Sequence, residues 1–369
     1  MTIKIVPIPR LYGELKDKLY SRYDEVYTAG KQMWEGEYCV RCEDFLKQIS
    51  NRKYAFLTTS GTSSIQIMLL ALGIEPGDEI ISINCSAPGT VMPIKVMGAN
   101  AVYCDLNEYG QQDLTNIESL ITDKTKAIEA TGLYGDCYDH DRIKDLGLPI
   151  LNDAAQSFYA KYKGIESIKL GDMSIISFSS NKTCPIFGTY GAVLTDNDEL
   201  AEKISLMRRN GYKSRDVGKG IKYIGINAQP TEDKCVQVLC SLEKLDDWKA
   251  RKKKVHEYYN EQFTKAGIKI RKSPTHSQTN YHKYCIFVDN NEKFRDKLAE
   301  DSIECQLHYK YNFAHTPVLT NGETQTYNFT NFFNHHSISI PANQWLTDSE
   351  IEEVANKIIK NITSEDLNL

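Results

Sequence analysis

Tyr54-Ala-Phe-Leu-Thr-Thr-Ser-Gly-Thr-Ser-Ser-Ile-Gln-Ile-Met-Leu-Leu-Ala-Leu72 passes from a β-type segment, through hydroxyls and one glycine, into an apolar helical segment. The pattern predicts a strand over 54–58 and a helix over 64–72, joined by Ser60-Gly61-Thr62-Ser63-Ser64. Free amides at a helix start, a glycine admitting close backbone approach and adjacent hydroxyls suit a phosphate. A plain helix cap needs only one serine or threonine, and this stretch alone leaves both readings open.

The alternation continues outward. Strands are expected at 79–83, 101–104, 126–130, 149–152, 173–178 and 191–195, with helices at 91–97, 114–121, 139–146 and 198–208. This is the signature of an α/β fold with a mostly parallel sheet between helices, whose ligands bind beyond the carboxyl ends of the strands. From Thr231 a long helical run carries Val236, Leu239, Leu242, Leu245 and Trp248 at three- or four-residue spacing. The basic run 251–254 reads as a solvated helix face. Past Gly267 comes a smaller α+β pattern, with a strand over 284–288 and helices over 293–300 and 348–362. Thr347 and Glu350 supply a capping box for the last of these. The expected division is a large domain over 1–240, amino-terminal segment included, and a small α+β domain over 241–369.

Composition narrows the function. The 369 residues hold 44 Lys and Arg against 49 Asp and Glu, a net charge of -5, without the basic excess of a general nucleic-acid binder. No apolar run approaches the ~20 residues of a membrane helix, and Pro7 and Pro9 interrupt the amino-terminal run before it could act as a signal peptide. A cytoplasmic location is expected. The ten cysteines are scattered and expected to be reduced and packed; Cys39-Val-Arg-Cys42 has no second pair and no histidine at ligand spacing, so no metal site is expected.

Two further strand ends carry chemistry. Asn152-Asp153-Ala154-Ala155-Gln156 puts a carboxylate at the ligand-binding edge of the sheet, and Ser177-Phe-Ser-Ser-Asn-Lys182 puts an amine there. Singly, the Asp reads as a turn residue and the Lys as a solvated one. A phosphate loop, an acid and a lysine on successive strand ends are together what pyridoxal 5'-phosphate requires: an anion hole, a partner for its ring nitrogen and an amine for its aldehyde.

With these residues in place, the chain resembles the DegT/DnrJ/EryC1/StrS family of sugar aminotransferases, of the aspartate-aminotransferase fold (type I). Ala71-Leu-Gly-Ile-Glu-Pro-Gly-Asp-Glu79, Leu133-Tyr-Gly135, Arg208-Arg-Asn-Gly211 and Leu242-Glu-Lys-Leu-Asp-Asp-Trp248 extend the match from about Trp34 to the carboxyl end. The resemblance implies a seven-stranded sheet, with Lys182 holding the cofactor and Asp153 paired to its ring nitrogen. Gln156 would lie near the ring hydroxyl, and Gly61, Thr62 and Ser177 would bind the phosphate. Asn227 would reach the phosphate of the neighbouring subunit, making the active unit a homodimer. The implied reaction moves an amino group from L-glutamate to a nucleotide-linked keto-deoxysugar, with a 4-keto-6-deoxyhexose first and the 3-keto isomer second. Tyr190, His308, Tyr309 and His315 are the candidate sugar-side residues.

The chain departs from the family pattern at three places. Ala87 stands where an aromatic residue would stack on the cofactor, Gln229 replaces an arginine, and Gly188-Thr-Tyr-Gly191 replaces Gly-Glu-Gly-Gly. Two alternatives accompany the leading reading. One is the family's 3-dehydratase branch, which carries His at the lysine position, so that Lys182 argues against it. The other is a pyridoxal phosphate-binding regulatory protein without turnover.

Overall fold

The computed structural model of the protein describes residues 2–29, 33–213 and 219–368. Two helices precede the first strand: α1 (Ile8–Thr28) and α2 (Glu37–Ser50). Neither was expected, although Leu11, Leu15, Leu19 and Val26 of α1 form a buried stripe close to the helical repeat. There follow β1 (Tyr54–Thr58), α3 (Gly61–Leu72), β2 (Glu79–Ile83), α4 (Pro88–Val96), β3 (Asn100–Cys104), β4 (Thr125–Thr131) and β5 (Ile150–Asp153). The short strands β6 (Lys161–Tyr162) and β7 (Ile165–Glu166) form a hairpin, and then come β8 (Met173–Ser177), β9 (Gly191–Thr195) and α5 (Asp198–Met207).

The main sheet has seven strands in the order β1-β9-β8-β5-β4-β2-β3. Only β9 runs against the rest, pairing antiparallel with β1 and β8, while β8, β5, β4, β2 and β3 pair in parallel. The carboxyl ends of β1, β4, β5 and β8 therefore share one edge. Gly191 permits the β1–β9 closure: a Cβ there would fall 2.6 Å from the Ser60 backbone.

Two of the expected helices reduce to single 3-10 turns, Ile117–Leu120 and His140–Arg142. Side chains divert the backbone at both. Asp113 Oδ1 accepts from the Thr115 amide at 2.9 Å, and the Asp141 amide donates to Tyr162 Oη at 3.2 Å.

The expected run after Thr231 is broken into α6 (Glu232–Leu242) and α7 (Leu245–Lys265). Next come β10 (Ser277–Gln278), β11 (Tyr284–Phe287), α8 (Asn291–Glu300), α9 (Asn328–His336), β12 (Ser337–Ile340), α10 (Asp348–Asn361) and α11 (Ser364–Leu367). Strands β11 and β12 pair antiparallel, and α7, α8 and α10 contribute to the apolar cluster around them. The Thr347/Glu350 capping box of α10 is present. Ile3 joins this carboxyl-terminal cluster, pairing in parallel with Ile303, so the first residues of the chain pack there and not on the main sheet.

The basic run 251–254 is not uniformly solvated. Lys252 is 4 % exposed, because it follows Leu245 and Trp248 and precedes Val255 and Tyr259 on the inward stripe of α7. All ten cysteines are free and buried, and no metal-holding cluster occurs among the described residues. No described helix is long and apolar enough to cross a membrane.

Candidate active site

Asp153 is the last residue of β5, opposite Thr131 of β4 and Ile175 of β8. Its carboxylate is buried and doubly held: Oδ1 accepts from the Ala155 amide at 3.0 Å and Oδ2 from Thr90 Oγ1 at 3.0 Å. Burial pushes its pKa up, against the Ala155 amide, the Lys182 charge and the Thr90 hydroxyl. Lys182 lies in the loop after β8, where its amide closes a turn onto Ser179 O at 2.9 Å. Its amine makes no hydrogen bond or ion pair among the described residues. Burial pushes that amine below the usual lysine range, and Asp153 opposes the shift.

At the start of α3, Ser60 proves to be a cap: its hydroxyl accepts from the Ser63 amide and Ser63 Oγ accepts from the Ser60 amide, each at 2.9 Å. Gly61 and Thr62 line the space beyond. A Cβ on Gly61 would sit 3.1 Å from Ser177 Cβ, and one on Gly89 would sit 2.6 Å from Thr62 Oγ1, so glycine keeps this cradle open. The cap and the cradle coexist, one from the serine side chain and the other from the residues after it.

The cradle, Asp153, Gln156, Ser177 and Lys182 line one pocket of about 300 Å3. Thr131, on its wall, has a buried hydroxyl with no partner. Hydroxyls and helix-start amides at one end, a buried carboxylate and a free amine together fit pyridoxal 5'-phosphate.

Gln156 accepts from the Tyr134 amide at 3.2 Å and donates to Tyr309 Oη at 3.0 Å. Lys283 Nζ donates to the same Tyr309 oxygen at 3.1 Å. With two donors on its oxygen, the Tyr309 phenol keeps its own proton for a third partner, and burial holds that proton on by raising its pKa. His308 also lines the pocket, and its Nδ1 is 2.8 Å from Ser339 Oγ.

Three sequence candidates lie elsewhere. Tyr190 packs in the core beside α6, and its hydroxyl accepts from the Thr231 amide. His315 is exposed, with Nε2 3.1 Å from Gln325 O. Asn227 is exposed on the segment bridged to Arg209, outside this chain's pocket. Ala87 lines the pocket as the cap residue of α4, and the aromatic rings lining that pocket are His308 and Tyr309. Thr90, Lys252 and Lys283 escaped the sequence reading. Thr90 had a usable signal, since a hydroxyl in the first turn after β2 faces the same sheet edge as Asp153.

A mostly parallel sheet that presents a buried carboxylate, a free lysine amine and a glycine-opened cradle along one edge has the parts of a pyridoxal 5'-phosphate-dependent enzyme. The chain belongs to the DegT/DnrJ/EryC1/StrS aminotransferase family, whose pattern it matches over residues 15–359. It is 30 % identical over 322 residues to the UDP-2-acetamido-2-deoxy-3-oxo-D-glucuronate aminotransferase of Pseudomonas aeruginosa, covering 86 % of this chain and 89 % of that one. It is 28 % identical over 371 residues to the GDP-perosamine synthase of Escherichia coli O157:H7, covering 96 % and 98 %. Among solved structures, NtdA from Bacillus subtilis with bound cofactor PMP has a TM-score of 0.88 at 25 % identity, covering 98 % of this chain and 85 % of that one.

Proposed function

We propose that the protein transfers an amino group from L-glutamate to a nucleoside-diphosphate keto-deoxysugar, with a 4-keto-6-deoxyhexose as acceptor. The observation carrying this reading is the convergence of Lys182, Asp153 and the Gly61-Thr62-Ser177 cradle on one pocket. Lys182 would hold the cofactor covalently, Asp153 would pair with its ring nitrogen, and Gly61, Thr62 and Ser177 would bind its phosphate. When bound, the cofactor supplies an electron sink for the pair released as the donor's C–H bond breaks.

The chain's own residues do the rest. Once released by the donor's amine, Lys182, kept toward its neutral form by burial, would take the proton from the donor's α-carbon onto Nζ and hold it there for return. The Ala155 amide and the Thr90 hydroxyl favour the ionised Asp153 carboxylate, against the burial that raises its pKa, and so would suit it to a protonated ring nitrogen. Gln156 and Lys283 fix Tyr309 so that its proton points to a ligand oxygen.

Asn227 belongs to this reading as a residue offered to a second copy. It is exposed, and nearby Ile224 is 82 % exposed, an apolar surface suited to a homodimer. A 3-keto acceptor is the second reading, favoured by the 3-oxo substrate named for the Pseudomonas relative.

The test is to incubate purified protein with glutamate and a panel of 4-keto and 3-keto sugar nucleotides, reading products by mass and NMR. An amino sugar with stoichiometric 2-oxoglutarate is expected, and Lys182→Ala should abolish both. Amination of none of the panel sinks the acceptor assignment, and a 3-deoxy product would move the protein to the dehydratase reaction.

A further inference from the structure

Behind Lys182 lies a second, smaller cavity of about 50 Å3, which shares Asn181, Lys182 and His308 with the larger pocket. Its own walls bring Lys252 from α7, His282 and Lys283 from the start of β11, and the Gln306 and Asn343 amides. No Asp or Glu lines it. His282 Nε2 is buried without a hydrogen-bond partner, and the Lys252 amine, on the cavity wall, makes no hydrogen bond or ion pair among the described residues. Lys283 Nζ is bonded only to Tyr309 Oη.

Buried cations are ordinarily paired, because an unpaired buried charge is strongly unfavourable. Here Lys182, Lys252, His282, Lys283 and His308 gather with no carboxylate on the cavity wall, and Asp153 reaches Lys182 alone. Each of these groups is pushed down by burial; the Lys283 and Lys182 charges push His282 and His308 down further, and the Lys182 charge does the same to Lys283. An anion entering the cavity would relieve that repulsion.

Size decides which anion. The cavity is about 50 Å3 against about 300 Å3 for the pocket in front of Lys182, which favours a compact anion over a hexose or a diphosphate. The group must also sit beside Lys182, where the donor's reacting carbon lies in the reaction proposed above.

We propose that this cavity is the carboxylate subsite of the amino donor, with Lys252, Lys283 and His282 as its anion-binding residues. The assignment rests on the aminotransferase reading of the site. It separates the two substrates in space: the donor's carboxylate behind Lys182, the sugar nucleotide in front.

The test uses holoenzyme and glutarate, a dicarboxylate lacking the reacting amine, titrated by calorimetry. Lys252→Met and Lys283→Met should each weaken glutarate about tenfold or more, the usual loss for a charge-assisted hydrogen bond, and Lys252→Met should leave uridine and guanosine diphosphate binding unchanged. Unchanged glutarate affinity in both variants overturns the proposal. So does a loss confined to UDP-glucuronate over UDP-glucose, which would give the cavity to a sugar carboxylate instead. Should the variants fold poorly, unmodified holoenzyme gives the answer with dimethyl glutarate: loss of binding supports the subsite, and equal affinity overturns it. Glutarate binding that responds to these changes, without amination of any sugar nucleotide, would sink the acceptor assignment alone. Amination with unresponsive glutarate binding would sink the subsite alone.

Discussion

Thr90 Oγ1 donates to Asp153 Oδ2 across 3.0 Å, joining the first turn of α4 to the end of β5 inside the pocket. The hydroxyl stabilises the ionised carboxylate against a burial that favours the protonated one. Thr90→Val keeps the shape and removes the donor. Asp153 should then titrate at higher pH, so the acidic limb of the pH profile of kcat/KM moves upward. Activity at neutral pH should fall about tenfold, the worth of a hydrogen bond to a charged group. An unmoved acidic limb would show that Asp153 does not depend on Thr90.

Ala87 offers the opposite experiment, a gain. The pocket wall there has no ring, and an offset-stacked aromatic contributes ~0.5–1.5 kcal/mol. Ala87→Phe should tighten cofactor binding by about two- to tenfold, read as the dissociation constant of pyridoxal phosphate from fluorescence titration.

Lys252 gives a pH-dependent stability with a definite sign. Burial lowers its pKa from 10.5 to about 8, so between those values the unfolded chain binds the extra proton. The native state is therefore penalised below about pH 8, and the penalty disappears as pH rises toward 10.5. Lys252→Met should raise the unfolding free energy at pH 7 by up to about 3 kcal/mol and flatten its rise in that window. Urea titrations at pH 7 and pH 10 check both. A residue that destabilises the fold yet weakens donor binding when replaced is retained for function.

Arg208 holds α2 and Glu35, just ahead of it, to β1 of the sheet. Its guanidinium donates to Glu43 Oε1 at 2.7 Å and to Leu57 O at 2.9 Å, and lies 3.0 Å from Glu35. The side chain is buried. Arg208→Met removes the buried cation that Glu43 and Glu35 share, leaving Glu43 with the Leu57 amide and Glu35 with Arg209, and should destabilise the protein by about 3 kcal/mol, measured by chemical unfolding.

Lys182, Asp153 and the Gly61-Thr62 cradle were legible because each sits at a strand end, and strand ends of a parallel sheet share an edge whatever the rest of the chain does. Their convergence on one pocket needed only local order. Lys252 and Lys283 were not legible. Lys252 sits in a run of basic residues whose composition looks solvated, and only the inward phase of α7, set by Trp248 and Tyr259, buries it. Lys283 faces Tyr309 through packing between distant segments. Tyr190 and His315 lie outside the pocket for a related reason. Adjacency in sequence to a pocket residue does not choose between the two directions a side chain can point, and Tyr190 turns into the core while His315 turns outward.

The pairing of Ile3 with Ile303 gives the small cavity a temporal character. Ile5 and Val6 form part of its wall, together with Ile340 and Trp345 from the other end of the sequence. About 300 residues of chain separate the paired positions, so the wall cannot close while the ribosome is still making the sheet. The cofactor pocket, drawn mostly from 60–190, can take shape during synthesis. The space behind Lys182 is finished last, and until then the lysine is open to water on that side.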